Sequence, residues 1–177
     1  MNRILQATHF AAIKHTSQRR KNPALTPYIN HPVEVAWLLS SLGGIEDEDI
    51  LIAALLHDTI EDTQTTREEI VMQFGERVAG FVCECSDDKS LAKAERKRLQ
   101  IENAPKKSHG AKCIKLADKL SNLMSMLNDP PLGWPVDRQR DYFLWAMSVV
   151  AGLRGVNQVL EIELDKVFQE GLVKLGN

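Results

Sequence analysis

Cysteine is scarce in this chain. Cys83, Cys85 and Cys113 include no Cys-x-x-Cys pair, which argues against a disulfide framework and a zinc ribbon and leaves buried or idle thiols as the plain reading. Long apolar runs are also missing: the longest, Ile50 to Leu56, has seven residues, against the roughly 20 that a membrane-spanning helix needs. The first residues carry Arg3 but break into Gln6, Thr8 and His9 before an apolar signal region forms, so a cytoplasmic location is expected. An excess of one charge is absent too, with 22 Lys and Arg against 24 Asp and Glu and a net charge of −2. Near-neutrality without a nucleic-acid reading motif gives no support to nucleic acid as the partner. Repeats and low-complexity tracts are missing as well. The 177 residues fit one domain, 1–177, and a chain of that size buries roughly 68 to 70% of its unfolded surface without needing a staple.

What is present is helical periodicity, which predicts an all-α, multi-helix bundle. The first helix is expected from about Arg3 to His15, with Ile4, Leu5, Ala11 and Ala12 on one side. A polar loop, Ser17 to Tyr28, follows. Pro32 suits the first position of the next helix, where its missing N–H would be unpaired anyway, and Gly43-Gly44 ends that helix. Glu46 to Asp49 opens another helix with carboxylates at its positive end; in it Ile50, Ala53, Ala54, His57, Asp58 and Glu61 share one stripe. Thr66-x-x-Glu69 reads as a capping box, and Val78, Phe81, Val82 and Cys85 mark a further helix. A charged helix spans about Leu91 to Asn103. The long helix after it, about Ala111 to Leu127, repeats the pattern of an apolar stripe turning polar in Ile114, Ala117, Asp118, Ser121, Asn122 and Ser125. Two C-terminal helices, near Asp137 to Leu153 and Asn157 to Leu175, have ordinary core spacing.

Near-neutrality hides a segregation of charge. Glu46 to Asp62 holds seven acidic residues and no Lys or Arg, whereas Lys89 to Lys112 holds eight basic against two acidic residues. His57, Asp58 and Glu61 on an otherwise apolar stripe need an explanation, because burying such groups without partners is costly. With Asp62 they put four ligand-grade or acid/base-grade groups within six residues. Imidazole and carboxylate together suit a divalent transition metal. His31 and Asp118 complete a four-ligand set.

The ordered set His31, His57-Asp58, Asp118 resembles the H…HD…D signature of the HD superfamily of metal-dependent phosphohydrolases. The flanks narrow the resemblance: His15-Thr16-Ser17-Gln18-Arg19-Arg20-Lys21, Thr26-Pro27-Tyr28-Ile29-Asn30-His31-Pro32, Leu55-Leu56-His57-Asp58-Thr59-Ile60-Glu61-Asp62-Thr63 and Lys115-Leu116-Ala117-Asp118-Lys119-Leu120-Ser121-Asn122. These look like the hydrolase domain of the RelA/SpoT alarmone family, and specifically its small stand-alone branch related to the metazoan SpoT homologue. The resemblance implies a bundle with a central metal site. It implies that His31, His57, Asp58 and Asp118 bind the metal, Mn2+ in this family, and that Glu61 and Asp62 are the catalytic acidic pair. It further implies that Arg20 and Lys21 contact the nucleotide, that Asn122 lies in the nucleotide pocket, and that Lys93, Arg138 and Tyr142 make phosphate- and ribose-side contacts.

The implied reaction removes pyrophosphate from the ribose 3′ position of guanosine tetra- or pentaphosphate, giving GDP or GTP. Removal of the 2′-phosphate of NADPH at the same centre, and a non-catalytic alarmone sensor, are the rival readings; retention of Glu61-Asp62 argues against the sensor. No obligate protein partner is implied. Long bifunctional members carry a glycine-containing loop before the Pro-Tyr, where this chain has Asn22-Pro23-Ala24-Leu25-Thr26, and Ser125 stands where a threonine is familiar. Because the chain ends at Asn177, hydrolysis without alarmone synthesis is expected.

Overall fold

Asn2, Asp47, Thr66, Ser108 and Asn157 each place a side-chain oxygen on a backbone N–H in the first turn of a helix, satisfying donors that the helix leaves orphaned. In the computed structural model, which describes residues 2–176, these helices belong to a set of ten. They are α1 (Arg3–Lys14), α2 (Asn30–Trp37), α3 (Glu48–Leu56), α4 (Thr59–Asp62), α5 (Arg67–Phe74), α6 (Glu76–Cys85), α7 (Lys93–Asn103), α8 (His109–Asn128), α9 (Val136–Ala151) and α10 (Gln158–Leu175). Among the described residues there is no β-strand, only an isolated bridge between Arg19 and Pro27, so the all-α expectation holds. No helix among them is long and apolar enough to cross a membrane. All three cysteines are free.

α8 lies at the centre, packed against α2, α3, α6, α9 and α10. Its buried residues run almost all round, from Gly110 to Leu127, as expected of a helix enclosed by neighbours. Ile114, Leu116, Leu120 and Leu123 of α8 meet Ile52 and Leu56 of α3 and Leu160 and Leu164 of α10 in one core, all fully buried. Each such side chain contributes about 1.5–3 kcal/mol by burial. Because α2, α3 and α8 pack against one another, polar groups at their meeting point are carried inside the molecule.

Several local expectations are corrected. Leu5 is 65% exposed, and the buried face of α1 is Ala7, Phe10 and Ala11. α2 begins at Asn30, so Pro32 is its third residue; the cause is unchanged, since that N–H also has no acceptor inside the helix. α2 then widens into a π-helical turn, Leu38–Leu42, before Gly43 and Gly44 end it. Only half of the capping box forms: Thr66 accepts from the Glu69 N–H, while the Glu69 carboxylate pairs with Lys14 of α1. The stripe from Ile50 to Glu61 is not one helix. It breaks at His57-Asp58, where His57 Nδ1 lies 2.7 Å from the Ala54 carbonyl and Thr59 Oγ1 donates to the Leu56 carbonyl at 2.7 Å. Side chains that bond the backbone in this way compete with the helical ladder.

Candidate metal centre and adjoining cleft

His31 stands in the first turn of α2, His57 and Asp58 on the break between α3 and α4, and Asp118 midway along α8. Together they bring two imidazoles and two carboxylates to one point. His31 Nε2 is 3.3 Å from Asp118 Oδ1 and 3.8 Å from Asp58 Oδ2, and His57 Nε2 is 3.1 Å from Asp58 Oδ2 and 3.8 Å from Asp118 Oδ1. The donor atoms of His31, His57 and Asp118 all lie within 4.8 Å of one another, and these three residues are buried. Asp58 flanks that trio, with its Oδ2 also accepting from the Tyr28 hydroxyl at 2.6 Å.

Outer partners orient both imidazoles, as ligand histidines require. His57 Nδ1 faces the Ala54 carbonyl, which places its proton there and leaves the Nε2 lone pair inward; that buried Nε2 has no hydrogen-bond partner. His31 Nδ1 lies 2.9 Å from Ser121 Oγ, and Ser121 Oγ donates to Glu34 Oε2 at 2.5 Å. An orphaned buried nitrogen beside a second imidazole and two carboxylates fits a divalent transition-metal ion. Burial holds His31 below its ordinary pKa. For His57 burial acts the same way, but Asp58 and Asp118 outweigh it and raise the ring to about 8, so a metal ion would compete with a proton for Nε2.

The sequence reading missed two residues here. Lys115 and Lys119 are 6% and 3% exposed, and their Nζ atoms lie 3.3 and 3.2 Å from Asp118 Oδ2. Asp118 therefore turns one oxygen to the histidines and the other to two ammonium groups. Burial opposes its ionisation, but Lys119 and Lys115 hold it well below the usual carboxylate range. The available signal was two lysines flanking Asp118 on a helix otherwise made of Ile114, Leu116, Ala117 and Leu120.

A cleft of about 710 Å3 opens beside this centre, and His31, Arg20, Lys21, Asp62, Asn122 and Tyr142 all line it. The loop before α2 is pinned by Arg20 N–H to Thr26 O at 2.9 Å and Tyr28 N–H to Gln18 O at 3.1 Å. Asn22 Oδ1 accepts from the Thr26 N–H, and Leu25 adopts φ +48°, a left-handed conformation that side chains other than glycine seldom take. Both terminal nitrogens of Arg20 donate to Asn122 Oδ1 at 3.3 Å, and Asn122 Nδ2 donates to Asp118 Oδ1 at 2.6 Å. The basic residue is thus tied through Asn122 to a candidate ligand. Ser125 also lines the cleft.

The remaining expected site residues are not all gathered there. Asp62 lines the cleft, with Gln18 and Lys89 on its two oxygens, whereas Glu61 accepts from the Asp87 N–H at 2.9 Å and sits 3.8 Å from Arg96. Burial raises the Glu61 carboxyl above its ordinary pKa. Arg138 stacks on Trp134, a residue of the cleft wall, at 4.0 Å. Lys93 is exposed at the start of α7. Lys97 lies over the rings of Tyr142 and Trp145 and is held below the ordinary lysine pKa first by burial, then by Lys93. The basic stretch from Lys89 to Lys112 does not act as one surface. Lys89 lines the cleft, Arg96 faces Glu61, Arg98 pairs with Glu95 and Glu102 of its own helix, and Lys107 donates to the Glu84 carbonyl.

The HD domain family matches residues 7–153 of the chain. The guanosine-3′,5′-bis(diphosphate) 3′-pyrophosphohydrolase MESH1 of Xenopus tropicalis is 56% identical over 167 residues, covering 94% of this chain and 93% of that protein. The protein of the same name from Homo sapiens is 53% identical over 167 residues, with the same coverage of 94% and 93%. A solved structure, described as a metazoan ortholog of SpoT that hydrolyzes ppGpp and plays a role in starvation responses, superposes with a TM-score of 0.94 at 50% identity, over 96% of each chain. With matches of this extent on both sequence and fold, the chain belongs to the HD-domain family and, within it, to the RelA/SpoT-type hydrolases beside the small metazoan SpoT homologues.

Proposed function

We infer that this protein is a Mn2+-dependent hydrolase that removes pyrophosphate from the ribose 3′ position of guanosine tetra- or pentaphosphate, leaving GDP or GTP, and that it does not synthesise alarmone. The observation that carries the reading is the juxtaposition of a buried two-His, two-Asp donor set with a cleft lined by Arg20, Lys21 and Lys89 and by the carboxylate of Asp62. The relatives' printed names support the substrate.

In the reaction a water oxygen bonds to the phosphorus attached to ribose O3′, the O3′–P bond breaks, and O3′ takes up a proton. His31, His57, Asp58 and Asp118 would hold the ion, which lowers the pKa of a bound water and polarises a phosphoryl oxygen. Asp62 accepts the water proton, assistance typically worth about 10² to 10⁴ in rate. Tyr28 holds Asp58 in register by its 2.6 Å hydrogen bond. Arg20, steadied by Asn122, and Lys21 and Lys89 neutralise the phosphate oxygens, where fixed charge stabilises the transition state. Lys93, Arg138 and Tyr142 engage the more distant phosphate and the ribose.

The test is product analysis with guanosine tetraphosphate across Mn2+, Fe2+, Co2+ and Zn2+, with NADPH as competitor. Pyrophosphate and GDP in equal amounts, fastest with Mn2+, are the expected products. Intact guanosine tetraphosphate, with fold and metal binding verified, overturns the reading; a higher kcat/KM for phosphate release from NADPH transfers it to that substrate.

A further inference from the structure

Asp62 has both carboxylate oxygens engaged. Oδ1 pairs with Lys89, and Oδ2 accepts from Gln18 Nε2 at 2.9 Å. Gln18 belongs to the pinned loop after α1, and its own Oε1 lies 2.6 Å from His15 Nδ1. An amide has one donating end and one accepting end. With the donating end on Asp62, the accepting end meets His15, so the His15 proton resides on Nδ1 and Nε2 is a bare lone pair. That Nε2 is buried without a hydrogen-bond partner, in a residue only 2% exposed. Leaving a buried acceptor unpaired is destabilising, and an apolar side chain at the same place would avoid it. Packing alone therefore does not account for a histidine here, whereas orienting the Gln18 amide does. The same ring lies 5.1 Å from that of Tyr28, whose hydroxyl holds Asp58. One buried side chain thus braces both the acidic residue of the cleft and the edge of the metal centre.

We propose that His15 and Gln18 are positioning residues for Asp62: His15 sets the Gln18 amide, the amide anchors Asp62 Oδ2, and Oδ1, which Lys89 reaches from one side, is the oxygen whose remaining lone pair takes the water proton. This rests on the assignment of Asp62 as the base. A carboxylate free to rotate presents the wrong oxygen or angle for much of the time, and misplacement of about an ångström costs on the order of 10² in rate.

The experiment compares kcat and KM for guanosine tetraphosphate in Gln18→Ala, His15→Phe, His15→Asn, Asp62→Asn and the Gln18→Ala/Asp62→Asn double variant. Gln18→Ala and His15→Phe are expected to lose about 10- to 100-fold in kcat, with KM within about twofold and Mn2+ affinity unchanged. His15→Asn, whose amide N–H stands near the position of Nδ1, restores most of that loss. In the Asp62→Asn background Gln18→Ala costs less than about twofold more, because the group it positions is already disabled. Equal losses in both backgrounds, or a loss confined to KM, overturn the proposal. The crystal structure of Gln18→Ala supplies a second readout: the Asp62 carboxylate is expected to turn from its wild-type orientation, and an unmoved carboxylate overturns the proposal with no reference to turnover. Wild-type protein that leaves guanosine tetraphosphate intact overturns the substrate reading instead, and the crystal readout still decides the positioning.

Discussion

Lys115 Nζ lies 3.3 Å from Asp118 Oδ2, and both side chains are less than a tenth exposed. Removing one member of a buried ion pair leaves the other uncompensated, at a cost of about 3–5 kcal/mol. Lys119 shares the same oxygen, so Lys115→Met is expected at the lower end, a loss of about 3 kcal/mol. Mn2+ should recover part of it by supplying positive charge to Asp118. Thermal unfolding with and without Mn2+ measures both effects, and an unchanged Tm refutes the pairing.

Ser121 accepts from His31 and passes the bond on to Glu34. Ser121→Ala fits the same fully buried space, so the fold is retained while the His31 ring loses its orientation. The expected outcome is Mn2+ binding weakened by about 10- to 100-fold, read by calorimetric titration. Equal affinities would show that packing alone holds the ring.

The two adjacent carboxylates predict unequal kinetics. Asp62→Asn is expected to lower kcat by about 10² to 10⁴. Glu61→Gln should cost less, since Glu61 is tied to the Asp87 N–H rather than lining the cleft. Steady-state kinetics on the two variants settles the order, and a larger loss in Glu61→Gln reverses the assignment of the base.

Asp47 caps α3 and pairs with Arg77, whose guanidinium holds its carboxyl below the ordinary value of 3.8. A carboxylate with a depressed folded pKa contributes stability that is fully present above its unfolded pKa and is lost as pH falls through the lower folded value. Asp47→Ala is therefore expected to cost about 1 kcal/mol at pH 7. The gap from wild type should close as pH drops below about 4, followed by urea unfolding. Both side chains are at least a third exposed, so salt should reduce the ion-pair share while leaving the cap. A gap constant with pH would remove the carboxylate from the account.

The apolar period of 3.6, the acidic start Glu46 to Asp49, the cap residue Thr66 and the glycine stops were enough to place nearly every helix, because they act within a turn or two of the chain. His57, Asp58 and Asp118 were likewise legible as candidate ligands, since two stripes turned from apolar to polar where a soluble helix has no local reason to do so, while His31 joined them only through its place at a helix start and the family resemblance. The division of labour around them depended on contacts from distant elements. Asp87 and Arg96 draw Glu61 aside, Gln18 and Lys89 hold Asp62, and Lys115 and Lys119 are folded inward against Asp118. The basic stretch after Lys89 is uniform in sequence yet splits in space, because α7 turns Arg98 to its own glutamates while Lys89 reaches the cleft. Sequence by itself thus determined the helices and the kind of donor groups that meet between them, both set by residue type and short-range spacing. Only the tertiary structure decided which carboxylate faces the cleft, which lysines are buried and which histidine stands behind Gln18, because a side chain's direction is chosen by partners far away along the chain.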